Sequence, residues 1–259
     1  MLSYQHAYHA GNLADVHKHA ALAWCLAYMA KKNKPISYLE THGGRGLYDL
    51  GNPQAKKTGE AEKGIGRALS ALPKEHPYVR AVRACRQRYG ASAYPGSPLL
   101  AATLLRSEDK LQIAEMHPGE HALLSQHMRP FDAACYHRDG FDLALSICPP
   151  SPRRGILLID PSYEIKTDYS KIPHFIAKLT RTWNVGVVML WYPIVKDNRH
   201  QSMVDALAAA HSGALSHEVR FRPAKDSHGM IGSGLFVQNA PFGLPEETNR
   251  LTQMFDRLD

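Results

Sequence analysis

The spacing of apolar positions changes several times along this chain, and the changes divide it into elements. Leu13, Val16, Ala20, Ala23 and Ala27 recur at helical intervals, predicting a helix over Asn12 to Lys32 with Asn12 as its N-cap and basic residues at its end. Lys34-Pro35 breaks it, and Ile36 to Glu40 reads as a first strand. Ile156 to Ile159 is a short continuous apolar run, the pattern of a strand buried on both faces. Leu111 to Glu115, Ala133 to His137 and Gly186 to Trp191 also read as strands. Helical patterns separate them over Glu120 to Met128, Phe141 to Ile147, Ile172 to Trp183 and Arg199 to His211. Leu99 to Leu105 predicts a further helix, with Ser97 as N-cap and Pro98 at its first position. Ala214 to Phe221 and Gly234 to Val237 read as two late strands around a glycine-rich hairpin loop, Ser227 to Gly234. Such alternation implies an α/β fold, a mostly parallel sheet with helices on both faces.

One stretch departs from the alternation. Between Leu50 and Tyr94, Gly51-Asn52-Pro53, Lys56-Lys57 and Leu72-Pro73 separate short helical pieces with no strand between them. The expected organisation is a main domain of residues 1–50 and 95–259, interrupted by a small helical insertion subdomain over 51–94.

The strand ends carry the polar residues. They read Glu40-x-His42-x-Gly44-x-Gly46, then Glu115, then Asp139-Gly140, then Asp160-Pro161-Ser162-Tyr163. In a parallel sheet these tips converge on the carboxyl edge, where open α/β sheets bind ligands. An acid on a neighbouring tip suits ribose hydroxyls. A dinucleotide fingerprint fails, because Asp49 stands where the third glycine belongs and would face a pyrophosphate; a P-loop lysine is also absent. A ribose-bearing ligand without phosphate, such as S-adenosylmethionine, fits better. At the tip after Ile159, a carboxylate, a proline carbonyl and an aromatic ring suit a planar amino group on a base: two acceptors and a stacking face.

Composition narrows the partners. A formal net charge of +7 favours a polyanion such as nucleic acid. Arg80, Arg83 and Arg86, with Arg88 beyond, read as a phosphate-contacting surface or, more plainly, a solvated face. No apolar run is long enough for a membrane span, and the N-terminus shows no secretory pattern. The four cysteines form no C-x-x-C pair, which points to cytoplasmic thiols. Trp24, Trp183 and Trp191 read as core or interface residues. His6, His9, His17 and His19 with Asp15 suggest an alternative, a metal-dependent nuclease or phosphoesterase, but their spacing matches no known ligand set, so no metal is expected.

Asp160-Pro161-Ser162-Tyr163 resembles the Asp-Pro-Pro-Tyr motif of amino-directed adenine methyltransferases. Four pieces in order resemble the RlmJ family, which methylates an adenine N6 in 23S ribosomal RNA. They are Met1-Leu2-Ser3-Tyr4 through His19, Tyr38-Leu39-x-Thr41-His42, Tyr94-Pro95-Gly96-Ser97-Pro98, and Arg153-Arg154-Gly155 through Tyr169. The resemblance implies a Rossmann-like class I methyltransferase sheet with a late antiparallel strand and a helical insertion. It implies S-adenosylmethionine as cofactor and S-adenosylhomocysteine as product, with contacts at His19, His42, Ser97, Glu115, Asp139, Gly140 and Asp160. Asp160 is then catalytic, with Pro161 and Tyr163 beside it, and Tyr4 and Tyr163 meet the substrate. The expected protein is a cytoplasmic monomer. Arg45 stands where a small residue is commoner, and Ser162 replaces the usual second proline; Ser162 leaves a catalytically inactive nucleic-acid-binding relative as a third reading.

Overall fold

The computed structural model describes residues 5–221 and 229–258. A 3-10 turn, His6–Tyr8, leads into α1 (Leu13–Ala30), where the Asn12 side chain accepts from the Asp15 N–H as the N-cap expectation requires. β1 (Ser37–Glu40) and β2 (Leu47–Asp49) follow, then α2 (Pro53–Thr58), α3 (Glu60–Lys63), α4 (Ile65–Ala71) and α5 (Pro77–Tyr89). The chain continues through β3 (Ala93–Pro95), α6 (Ser97–Leu104), β4 (Lys110–Ala114), α7 (Pro118–Met128), β5 (Ala133–Tyr136) and α8 (Gly140–Ile147). It ends with β6 (Gly155–Ile159), α9 (Asp168–Thr182), β7 (Val187–Val195), α10 (Gln201–Ala210), β8 (Leu215–Arg220), β9 (Met230–Gln238) and α11 (Leu244–Leu258).

Seven strands form one sheet in the order β5-β4-β1-β6-β7-β9-β8, while β2 and β3 pair separately and antiparallel. The first five strands of that order run parallel; β9 is antiparallel to both β7 and β8. The order reverses at β1, with β4 on one side and β6 on the other, so their carboxyl ends flank the crevice where such sheets bind ligands.

The apolar run of β6 is buried throughout because the sheet is covered twice. Ile156 and Leu158 join the core under α1, α5, α6 and α11, whereas Leu157 and Ile159 join the core under α8, α9 and α10. Leu39 of β1 and Val188 and Leu190 of β7 belong to the second core as well.

Three expectations need correction. The helical spacing of α1 implies one buried face, but Ala14 to Ala23 is buried without a break, because α5, α6 and α11 pack around the sides that the sheet leaves open. Gly96, not Ser97, caps α6; the Ser97 hydroxyl donates instead to Glu40 across the strand ends. The glycine-rich segment is no loop from Met230 onward, since Gly232 and Gly234 lie inside β9. A Cβ at Gly234 would stand 2.1 Å from the Tyr192 ring, so the glycine lets two strands share that space. Ser227 and His228 lie outside the described residues.

Candidate active site

The carboxyl ends of β1, β4, β6 and β7 and the start of α1 enclose a cavity of about 260 Å³. Its wall includes His19, His42, Ser97, Glu115, Asp160 and Pro161, so the fold brings together six residues expected from widely separated segments. Ser162, the departure from the usual motif, lines it too.

Asp160 does not stand alone there. Lys18 Nζ lies 2.5 Å from Asp160 Oδ2 and 3.0 Å from Asp15 Oδ1. Asp15 Oδ2 in turn accepts from the Gly11 N–H and meets His6 Nε2, each at 2.9 Å. Burial works against charge at Lys18, but Asp15 and Asp160 outweigh it and hold the ammonium above its ordinary pKa. Burial likewise opposes the Asp15 carboxylate, yet His6, Lys18 and His19 hold it well below the usual carboxylate range. A line of alternating charge thus runs from Asp15 through Lys18 to Asp160 and leaves Asp160 Oδ1 uncommitted to Lys18. Lys18 was legible only as one letter of a motif; its signal is a charged residue inside the most apolar part of a helix.

The acids on neighbouring tips are held differently. Glu115 accepts from the Gly44 N–H at 2.8 Å and from the His117 N–H at 2.7 Å, and burial raises its pKa. Glu40 accepts from the Tyr38 hydroxyl at 2.7 Å and from Ser97, and burial pushes it up to about 8. Burial drives His19 down to about 3 and His42 down to about 4, so both rings are neutral near pH 7. His19 Nδ1 meets the Tyr94 hydroxyl at 2.8 Å, while its buried Nε2, on a residue that lines the cavity, has no hydrogen-bond partner among the described residues and only the Asp15 carboxylate 3.9 Å away. An unsatisfied polar atom there fits a site built to hold a polar ligand. The set of neutral imidazoles, a carboxylate with backbone support and one hydroxyl suits the hydroxyls and amine of a ribosyl cofactor.

Other expected residues fall elsewhere. Asp139 is exposed and its side chain accepts from the Asp142 N–H as the N-cap of α8. Gly140 packs so tightly that a Cβ would lie 2.0 Å from the Thr41 carbonyl oxygen. Neither lines the cavity, although Asp139 is near enough to act on the charge of His42. Tyr163 is buried, with φ of 56°, and its hydroxyl donates to the Trp191 carbonyl at 2.8 Å. Its ring packs on Tyr169 at 4.7 Å and away from the cavity wall. Trp191, expected as core or interface, is the aromatic ring that lines the cavity near Asp160, with Lys18 Nζ 5.6 Å from its centroid. Alternation along β7 sets Trp191 toward the α1 side of the sheet with Val187 and Met189, although it also touches the second core, and sets Tyr192 on the other side. Tyr4 lies outside the described residues.

Arg45 does not itself line the cavity but is tied to two residues that do: its Nε donates to Glu120 at 2.8 Å and its guanidinium sits 5.8 Å from the Tyr48 ring centroid. Arg80, Arg83 and Arg88 are exposed on α5, and Arg86 is half-buried. The N-terminal histidines go to separate partners, His6 to Asp15, His9 to Glu60, His17 to Ser233 and His217, and His19 to Tyr94. Among the described residues no group of three or more metal-ligating side chains converges. No described helix is long and apolar enough to cross a membrane.

Comparison with known proteins gives one consistent result. Residues 33–257 match the family described as ribosomal RNA large subunit methyltransferase D, RlmJ. The ribosomal RNA large subunit methyltransferase J of Escherichia coli is 39% identical over 256 residues, covering 97% of this chain and 91% of that protein. Its namesake from Haemophilus influenzae is 36% identical, covering 97% of this chain and 92% of that protein. A crystal structure of a Legionella pneumophila protein, 34% identical, superposes with a TM-score of 0.84 over 95% of this chain and 92% of that one.

Proposed function

Because the chain belongs to the RlmJ family of ribosomal RNA large subunit methyltransferases, we propose that this cavity is where a methyl group passes to the exocyclic N6 of an adenine in 23S ribosomal RNA. The protein is an S-adenosylmethionine-dependent methyltransferase acting on ribosomal RNA. The observation that carries the site assignment is Asp160 and Pro161 side by side on a cavity wall shared with Glu115 and with His19, whose Nε2 makes no hydrogen bond within the described residues.

S-adenosylmethionine, when bound, supplies an electrophilic methyl group. Glu115, already fixed by two backbone N–H groups, keeps lone pairs for ribose hydroxyls. His19 offers Nε2, and Ser97, its proton committed to Glu40, offers an acceptor. His42 adds a neutral polar wall. Asp139 extends the rim beyond His42, and Gly140 lets α8 brace the Thr41-His42 turn.

An exocyclic amine conjugated to its ring is a weak nucleophile. Asp160 Oδ1 and the Pro161 carbonyl accept its two hydrogens, which localises the lone pair and aims it at the methyl carbon. Lys18 holds the other Asp160 oxygen, so the carboxylate cannot rotate away. The proton shed by the alkylated amine goes to Asp160 Oδ1. Trp191 gives the extruded base its stacking face, while Tyr163, fixed to the Trp191 carbonyl, braces that strand from behind. Tyr4 keeps the substrate-contacting role that the family resemblance implies.

In this reading the protein acts as a cytoplasmic monomer, with 51–94 as a helical insertion subdomain whose exposed Arg80, Arg83 and Arg88 meet RNA phosphates. The test is to incubate the purified protein with S-adenosylmethionine and 23S ribosomal RNA lacking the modification. N6-methyladenosine is expected in the digested RNA; cofactor binding with no transfer would instead identify an inactive nucleic-acid-binding relative.

A further inference from the structure

Behind Trp191 lies a run of buried polar groups that methyl transfer does not touch. The Trp191 indole Nε1 donates to Ser233 Oγ at 2.9 Å, and Ser233 Oγ lies 2.8 Å from His17 Nδ1. His17 Nε2 is 2.9 Å from His217 Nδ1, and His217 Nε2 is 2.8 Å from Thr252 Oγ1. Thr252 then donates to the Thr248 carbonyl at 3.3 Å. The chain crosses β7, β9, α1, β8 and α11, and His17 and Ser233 are wholly buried.

Its protons are fixed from both ends. An indole N–H can only donate, so Ser233 accepts there. At the far end the Thr252 hydroxyl spends its proton on the Thr248 carbonyl, which can only accept, so the Thr252 oxygen accepts from His217 Nε2 and that side of the ring carries a proton. Burial lowers the pKa of both histidines, His17 far below its ordinary value, and keeps the rings neutral. A neutral His217 therefore accepts at Nδ1, His17 donates from Nε2 and accepts at Nδ1, and Ser233 donates to it. Every donor then has an acceptor. The alternative, with Ser233 accepting from both sides, leaves a buried hydroxyl proton unpaired, which costs about 1–3 kcal/mol.

We propose that His17, Ser233 and His217 are positioning residues: a one-way hydrogen-bond chain that fixes the plane of the Trp191 ring against which the target adenine is stacked. The proposal rests on the role given to Trp191 above. It explains why α1 carries three consecutive buried polar residues pointing to different partners. Lys18 holds Asp160, His19 faces the cavity, and His17 holds Trp191 through Ser233.

The test uses the full chain with Ser233→Ala, His217→Phe and His217→Gln. Ser233→Ala removes the indole's acceptor. His217→Phe removes the acceptor of His17 at a half-buried site remote from the cavity wall, while glutamine restores one donor and one acceptor. Methyl transfer is expected to lose about tenfold in kcat in the first two variants, the scale of a misplaced reactant, with KM for S-adenosylmethionine unchanged. The indole 1H–15N cross-peak of Trp191, identified by its loss in Trp191→Phe, should move in both and return in His217→Gln together with kcat. An unmoved cross-peak with wild-type kcat in Ser233→Ala and His217→Phe overturns the proposal. Equal losses in His217→Phe and His217→Gln also overturn it. Should Ser233→Ala fail to fold, the His217 pair decides alone. A wild-type protein that transfers no methyl group removes the functional reading separately, because the cross-peak is read without substrate.

Discussion

The two ends of the Lys18–Asp160 ion pair come from regions built on opposite plans. β6 is apolar until its last residue and presents its chemistry after the strand ends, at Asp160 and Pro161. α1 presents its chemistry from within, where Asp15, His17, Lys18 and His19 are buried between Ala14 and Ala20. A strand buried on both faces has no room for polar side chains along its length, so function collects at the tip. A helix surrounded by other helices has several buried faces and can send neighbouring residues to different partners. The cost is that each buried polar group must be satisfied, and α1 meets it with Asp160, Ser233, His217 and Tyr94.

That difference can be broken most severely at Lys18. Lys18→Met leaves Asp15 and Asp160 without their shared cation, and removing one partner of a buried pair costs about 3–5 kcal/mol. The expected result is a large fall in Tm together with loss of methyl transfer, read by thermal melting and by methyl incorporation. A variant that melts like the wild type would show that the pair is not what stabilises the start of α1.

The aromatic pair sharpens the comparison. Trp191→Leu removes the stacking face, worth about 1–3 kcal/mol per base, and should raise KM for RNA or lower kcat by tenfold or more. Tyr163→Phe removes only a hydroxyl that meets the Trp191 carbonyl, a bond worth about 1 kcal/mol of stability, and should leave activity near wild type. The reverse order of effects would return the base to Tyr163.

Glu40 tests how the β1 tip differs from the β6 tip. Its folded pKa, raised to about 8 by burial, exceeds its ordinary 4.5, so the folded state binds more protons between those values. Stability from this group is therefore lost as pH rises toward 8, and Glu40→Gln should flatten that slope in denaturant titrations across the window.

The smallest expected effect is at His9. The Glu60 hydrogen bond raises the His9 pKa despite partial burial. Its stability is full below 6.5 and is lost as pH rises through the folded value. Glu60→Gln should remove that loss and shift Tm by a few degrees at acid pH.

The contrast between β6 and α1 also explains what could be read from the letters. β1, β4, β6 and their tips were legible because strand burial and tip chemistry are local and contiguous, and Asp160, Glu115 and His42 do fall on one cavity wall. Ser97 was found for the cavity but misread as a helix cap, because the capping preference is local and Glu40 is reached only after folding. Lys18 escaped because the helical spacing marked one apolar face, whereas α5, α6 and α11 bury the others. Trp191 was read only as core or interface because its place on the cavity wall follows from the parity of β7, which motif order does not give, whereas Tyr163 lies off that wall.

The proposed chemistry turns on Asp160, held by Lys18, accepting one hydrogen of an adenine amine in ribosomal RNA while the Pro161 carbonyl takes the other. Its direct test is mass-spectrometric mapping of methylated nucleosides in 23S ribosomal RNA treated with the wild-type protein and with a folded Asp160→Ala variant. The account predicts N6-methyladenosine at a single position with the wild type and none with Asp160→Ala. Methylation at another atom, or undiminished N6-methyladenosine from the variant, would contradict it.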